Sequence, residues 1–385
     1  MTDKMQESGY GAEKGVQSTG ENDSLFIDFL KSAGKEIEDM AGKYFDDFVS
    51  NAVENVFVRE SLESLIKQNE GGKRVRGALI KLGEKIASHG RNHNYLPIAV
   101  GYELFQTSVL IHDDIIDRSD TRRGKATIHV DSAEKIKESK GISDEAATHY
   151  GISRALCIGD YGFFISYQFL AKCAVDSAVL TKVYQLYSQI LSKTCEGEIM
   201  DTILPFDRIS ILDNYDAYEK MVSQIYELKT AWYTLAGPLM LGAVCGGGSE
   251  ALVDLLKRIA IPLGIAFQIK DDLLGIYSSD EVLGKSVLSD ICEGKQTLLF
   301  GFAYQKANEE QRALLDRHYG KRDASEQDLE VIRKVFEETG AKQQAEAEIK
   351  RLSAYSRELI QNDLIDKEYQ AILYGLVSYQ TGRQF

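Results

Sequence analysis

From Ser24 onward, apolar residues recur at helical spacing along almost the whole chain. Leu25, Phe26, Phe29 and Leu30 open the pattern. Ile37, Met40, Tyr44, Phe45 and Phe48 continue it, as one face of an amphipathic helix requires. Gly71-Gly72 interrupts the pattern. The spacing then predicts a helix from about Lys73 to Ser88 and a strongly apolar one from about Leu96 to Arg118. Further helices are predicted near Ser153–Ala171, Leu180–Asp201, Leu212–Ala243, Ala251–Tyr277, Lys295–Ala307 and Asp328–Ile360. The stretch 131–148 is polar, lysine-rich and aperiodic, and is expected to be an inserted loop. Residues 1–23 are polar and rich in Gly and Ser, with no apolar core of a leader, and are expected to be a disordered tail. No useful strand alternation and no internal repeat is present. The reading is all-α: one helical domain over 24–385.

Composition sharpens this picture. The 385 residues are 44% hydrophobic, enough for a large core, and contain only four prolines, so long helices run without a breaker. The net charge of −14 argues against a nucleic-acid partner. Anionic substrates would therefore need bound cations or a local basic cluster. The five cysteines (Cys157, Cys173, Cys195, Cys245, Cys292) show no metal-knuckle spacing, so buried reduced thiols in a cytoplasmic protein are expected. The longest apolar run, Leu235 to Cys245, is too short to span a bilayer and holds Pro238, so no transmembrane segment is expected.

The candidate chemistry begins where the apolar run from Leu104 to Ile111 meets Asp113, Asp114 and Asp117. On a helix, Asp113 and Asp117 share a face one turn apart. Two carboxylates at ~6 Å repel by about 3 kcal/mol at an effective dielectric near 20. A hard divalent cation would relieve this, and Mg²⁺ favours one or two carboxylates plus phosphate oxygens. A solvated acidic helix end is the plain alternative. Arg118, Arg122 and Arg123 follow, with Gly124 behind them, and arginine matches phosphate geometry. A surface salt-bridge network is the plain alternative there.

A second acidic pair, Asp271 and Asp272, ends another apolar run, with Lys285 and Lys295 downstream in Gly-rich stretches. Lys229-Thr230 lies mid-helix. A third element is basic: Gly71-Gly72-Lys73-Arg74-Val75-Arg76. Its glycines allow close backbone approach, the helix start offers N–H groups to an anion, and Lys73 and Arg76 would share a helix face. His112 would point about 100° from Asp113 and reads as structural.

Taken in order, these segments resemble the trans-isoprenyl diphosphate synthase family over about residues 40–375. The series runs Gly-Gly-Lys-Arg-x-Arg (71–76), Asp-Asp-x-x-Asp (113–117), Arg-Arg-Gly (122–124), Gly159-Asp160, Gly197-Glu198-x-x-Asp201 and Lys229-Thr230. It continues with Phe267-Gln268-x-x-Asp271-Asp272, Gly284-Lys285 and Gly294-Lys295. The resemblance implies an all-α bundle around a deep central cavity, working as a homodimer with three Mg²⁺ ions per active site. It implies that Asp113, Asp117 and Asp271 ligate metal, supported by Asp114 and Asp272. Arg122, Lys229, Thr230, Gln268, Lys285 and Lys295 would hold an allylic diphosphate (dimethylallyl, geranyl or farnesyl). Lys73, Arg76, Gln106 and Arg123 would hold isopentenyl diphosphate. Three positions depart from the family pattern: Gly275 for the last aspartate of the second motif, Glu198 for a frequent glutamine, and Gly77 for a common proline.

The chemistry this implies is head-to-tail prenyl transfer: ionisation of an allylic diphosphate, then alkylation of the isopentenyl double bond. Ser108 and Val109, one turn before Asp113, would line the product cavity. Neither is bulky, so a product of twenty carbons or more is expected, with Phe105 and Phe163 or Phe164 as the floor. A farnesyl diphosphate synthase is the alternative. A class I terpene cyclase and a non-catalytic partner subunit are remoter ones.

Overall fold

The computed structural model describes residues 21–51, 55–91, 95–206, 211–279 and 287–382. They form helices joined by turns and loops, with one hairpin of two two-residue strands. The first four are α1 (Glu21–Asn51), α2 (Val56–Asn69), α3 (Val75–Ser88) and α4 (Leu96–Ile116). The strands β1 (Thr121–Arg122) and β2 (Lys125–Ala126) pair antiparallel, Thr121 opposite Ala126. Then come α5 (Ile128–Lys140), α6 (Asp144–Leu170), α7 (Ser177–Ile203) and α8 (Tyr215–Ile225). A π-helical segment, Tyr226–Ala236, joins α8 to α9 (Gly237–Cys245). The chain continues as α10 (Glu250–Tyr277), α11 (Ser289–Glu293), α12 (Leu298–Lys306), α13 (Glu309–His318), α14 (Glu326–Glu338), α15 (Ala341–Ile360) and α16 (Lys367–Thr381).

Local chemistry sets many of these boundaries. Asn55, Ser143, Asp176, Asn214, Ser249 and Thr297 each cap a helix start by accepting from a backbone N–H of its first turn. Pro97 sits in the first turn of α4, where its missing N–H does no harm. The core is largely aliphatic, and each Leu or Phe fully buried contributes about 1.5–3 kcal/mol. Tyr102, Phe105, Phe169 and Tyr187 are among its largest buried members. Among the described residues no helix is long and apolar enough to cross a membrane.

Three expectations need correction. The segment 131–148 is helical: it makes most of α5 and the start of α6. The two helices meet through small residues. A Cβ on Gly151 would collide with His129 O and stand 3.0 Å from Ala133 Cβ. Such contacts leave no apolar periodicity to read. Residues 1–20 lie outside the described residues, but Glu21–Asp23 already belong to α1, which runs against α16 where Gly375 leaves room for Asn22 O. The thiols are also mixed: Cys173 and Cys245 are buried, whereas Cys157 and Cys195 are exposed.

Candidate active site

α4 carries Asp113 and Asp114 in its last turn and Asp117 as its C-cap. The hairpin that follows folds back over them. Its turn residues Arg123 and Gly124 both have positive φ, 52° and 72°, as a two-residue hairpin turn of the right twist needs. Arg122 thereby donates Nε to Asp114 Oδ1 at 2.6 Å and Nη2 to Asp113 Oδ2 at 3.2 Å. Burial raises the Asp114 carboxyl to about 6, against the pull of Arg122 and with the push of Asp113 and Asp117. Asp114 is therefore committed to Arg122, while Asp113 and Asp117 flank it.

The π-helical segment is the hub. Its wider turn sets five side chains toward four different helices. Lys229 Nζ lies 2.6 Å from Asp201, 3.0 Å from Glu198 and 3.8 Å from Asp113. Burial opposes its charge, but these carboxylates hold its pKa above the ordinary lysine value. Thr230 donates to Gln268 Oε1 at 2.7 Å, and Gln268 Nε2 donates to Asp272 Oδ1 at 3.0 Å. Tyr226 donates to the other oxygen of Asp272. Tyr233 and Thr234 receive Arg76, stacked at 4.3 Å and hydrogen-bonded at 3.0 Å. Two glycines let this wide segment sit close: a Cβ on Gly197 would strike the Lys229 backbone, and one on Gly264 would strike Ala231.

The second acidic pair is built differently. Asp272 is buried, and that burial lifts its carboxyl to about 7 despite the Tyr226 and Gln268 donors. Asp271 is half-buried beside it. Thr230 and Gln268, expected to meet substrate, are joined to each other and to Asp272. Lys285 lies outside the described residues. Lys295 faces the first cluster: burial opposes its charge, but Asp290, Asp117, Asp201 and Glu293 hold its pKa well above the usual value.

A separate cleft is basic. Lys73, Arg76, Gln106, Arg122 and Arg123 all line it. Arg123 is lowered by burial and by the nearby charges of Arg122, Arg74 and Arg76. Arg74 and Arg123 both stand in the left-handed region, φ 51° and 52°, a strain that persists only where surroundings enforce it. Arg74 is held by Asn69 Oδ1 at 3.2 Å and by Glu103 at 3.7 Å. Glu103 also accepts the Gly77 N–H at 2.8 Å, a bond that a proline at 77 would forfeit. Lys73 and Arg76 do not share a helix face, because α3 starts only at Val75. Lys73 instead lies over the Tyr379 ring, 5.4 Å away. Asn69, Glu103 and Tyr226 escape sequence reading, since their roles depend on partners far away in the chain.

Before Asp113 on α4, Phe105 sits in a cluster of aromatic rings. Phe105 contacts Tyr102, Phe163, Tyr187 and Tyr233 at ring separations of 5.3–6.2 Å. Val109 is half-buried against the core. Ser108 is fully buried in the seam between α4 and α6, where its hydroxyl takes the space a Cβ on Gly162 would need. Phe164 is corrected as a floor residue: it is 69% exposed, one helical step round from the inward Phe163. His112 packs on Phe163 at 5.3 Å and reaches Leu156 O at 3.2 Å, a structural role.

The donor set suits a hard cation: all are carboxylate oxygens, set among Lys and Arg. Among the described residues no group of three is arranged to hold one ion by itself. An ion here would complete its shell with water or phosphate oxygens, which is the habit of Mg²⁺.

Comparison with known proteins finds relatives over most of the chain. The polyprenyl synthetase family model matches residues 57–337. The chain is 30% identical over 275 residues to a geranylgeranyl diphosphate synthase of Methanosarcina mazei, covering 70% of this chain and 74% of that protein. It is 28% identical over 341 residues to a geranylfarnesyl diphosphate synthase of Aeropyrum pernix, covering 87% and 96%. The crystal structure of a Corynebacterium glutamicum geranylgeranyl pyrophosphate synthase, complexed with isoprenyl diphosphate and magnesium, superposes with a TM-score of 0.78 at 28% identity, covering 94% and 98%.

Proposed function

The chain belongs to the polyprenyl synthetase family and is a prenyltransferase, and on that premise we propose that it condenses isopentenyl diphosphate with an allylic diphosphate to give a product of twenty carbons or more. The observation that carries this reading is the pairing of two unlike sites across one π-helical segment. One is carboxylate-rich around Lys229, and the other is the basic cleft around Arg76. Two diphosphate substrates need two such sites, and a cyclase would need only one.

Asp113, Asp117 and Asp271 are the proposed metal ligands. Mg²⁺ bound there would neutralise the charge that develops on the leaving pyrophosphate. Lys229, Lys295 and Arg122 add fixed positive charge at the same place, so the allylic C–O bond can ionise. Arg76, Lys73, Gln106 and Arg123 hold the second diphosphate and aim the isopentenyl double bond at the cation. The proton lost after C–C bond formation passes to the departed pyrophosphate, so no protein nucleophile is required. The aromatic cluster around Phe105 is the proposed apolar surround of the growing chain. The exposed apolar Leu156 and Phe164 on α6 would suit pairing with a second copy, and the proposed assembly is a homodimer.

The test is incubation with Mg²⁺, labelled isopentenyl diphosphate and an allylic primer. Linear products of twenty carbons or more are expected. Release of farnesyl diphosphate alone would overturn the length, and cyclic hydrocarbon or no turnover would overturn the reaction.

A further inference from the structure

Two of the five cysteines meet inside the core. Cys173 follows the end of α6, and Cys245 is the last residue of α9, 72 positions further on. Their sulfurs are 3.7 Å apart, and both side chains are thiols rather than halves of a disulfide. They are 5% and 3% exposed. Glu84 of α3 packs against the same end of α9. A Cβ on Gly242 would stand 2.8 Å from Glu84 N, and one on Gly246 would stand 2.8 Å from Glu84 O, so these contacts bracket Cys245. The Glu84 carboxylate oxygens have no hydrogen-bond partner among the described residues, and its charge disfavours ionisation of both thiols. The reaction proposed above uses none of these three groups.

The two thiols are held unequally. Cys245 is anchored, because the residues after it close the helix: Gly246 N donates to Gly242 O at 2.9 Å and Gly248 N to Ala243 O at 2.8 Å. Cys173 lies in the turn between α6 and α7, where its N–H donates to Leu170 O at 3.1 Å. A hydrogen bond from Cys245 holds the Cys173 thiol below its ordinary value, against burial and the Glu84 carboxyl. The same bond, with burial, pushes Cys245 up. The thiolate is the form that attacks an oxidant, so Cys173 reacts first and Cys245 closes the bond. A disulfide is about 2.05 Å long, so the sulfurs must approach by about 1.7 Å from 3.7 Å. The turn at Cys173 is the part that can supply this movement.

We propose that Cys173 and Cys245 are a two-electron oxidation site for hydrogen peroxide, and that the disulfide it forms clamps the α6–α7 turn to the end of α9. The Cys173 sulfur attacks one peroxide oxygen and the O–O bond breaks. This leaves a sulfenic acid, and the thiol proton departs with the other oxygen as water. The Cys245 sulfur then attacks the Cys173 sulfur. The S–O bond breaks, and a second water leaves with the Cys245 proton. The two thiols thereby supply the two electrons that reduce the peroxide. Exposure of 5% or less keeps bulky disulfide reagents out and favours a small oxidant. The new bond joins residues 72 apart, and closing so long a loop restricts the unfolded chain strongly.

The experiment treats the folded full chain with a small excess of hydrogen peroxide. Remaining thiols are then alkylated with N-ethylmaleimide in denaturant, and the peptides are mapped by mass without reduction. A peptide pair joining Cys173 to Cys245, lighter by two hydrogens, is expected. The melting temperature should rise on the order of 5 °C, and dithiothreitol should reverse both changes. The variant Cys157→Ser/Cys195→Ser/Cys292→Ser should show the same rise, since the other thiols take no part. Cys173→Ser should show none. If Cys173→Ser does not fold, Cys245→Ala serves in its place, and the peptide map of the unaltered chain decides the bond without any variant. A pair that stays reduced while Cys157 and Cys195 are oxidised overturns the site, as does oxidation of Cys173 that runs to a sulfinic acid with no disulfide. A Cys173–Cys245 bond that leaves the melting temperature unchanged overturns the clamp.

Discussion

The two aspartate clusters look alike as sequence but are supported in opposite ways. At the end of α4, Asp113 and Asp114 are met by full charges: Arg122 from the hairpin and Lys229 from the π-helical segment. At the end of α10, Asp272 is met by neutral donors, Tyr226 and Gln268, and its carboxyl rises to about 7 as burial dictates. Carboxylates set among full positive charges are suited to share a metal ion with an anionic ligand. A buried carboxylate tied to neutral groups is a fixed prop. The first cluster is therefore the better proposed metal site, with the half-buried Asp271 as the proposed ligand from the second.

The sharpest way to break this contrast is Asp113→Ala. Turnover should fall by about a thousandfold, the scale of losing several kcal/mol of charge stabilisation. The melting temperature should hold, because the helix end it leaves is partly open to solvent. Retained turnover would take Asp113 out of the metal site. Tyr226→Phe probes the second cluster and should act more mildly. It removes one donor from a buried carboxylate, which is worth about 1–3 kcal/mol in stability. Calorimetric unfolding should show this loss, with turnover reduced about tenfold or less; a melting point equal to wild type would mean that Asp272 does not depend on Tyr226.

Glu84 is a control outside both clusters. It is fully buried on α3, and neither carboxylate oxygen has a hydrogen-bond partner. Burial raises its carboxyl from 4.5 to about 7, against the pull of Lys85 and Lys81. The folded chain therefore holds this proton more tightly than the unfolded chain. Its effect on stability is to lower it as pH rises from about 4.5 to about 7, after which the loss levels off. Glu84→Gln should match wild type near pH 4.5 and exceed its stability at pH 8 by on the order of 3 kcal/mol. Denaturant melts at the two pH values check this, and turnover at neutral pH should be unchanged.

Much of this was legible in the chain, and the limits have physical causes. Leu96–Ile116 and the aspartates at its end announce themselves, since an apolar run fixes a buried helix and three carboxylates need compensation. The basic loop at 71–76 reads as an anion site, and the structure places it in one cleft with Arg122 and Arg123. α5 was hidden because its contact with α6 uses Gly151 and Ala133 in place of large apolar residues. The π-helical segment leaves no periodic trace, since its register is set by Gly197 and Gly264 on neighbouring helices.

The central claim is that both clusters act on one departing pyrophosphate, and the double variant Asp113→Ala/Asp271→Ala tests it most directly. Release of pyrophosphate from an allylic diphosphate plus isopentenyl diphosphate is measured for each single variant and for the pair. Groups that work as one unit lose most of their effect at the first removal. The account predicts that the double variant is hardly slower than the slower single. Losses that multiply would mean that the clusters act independently and would contradict it.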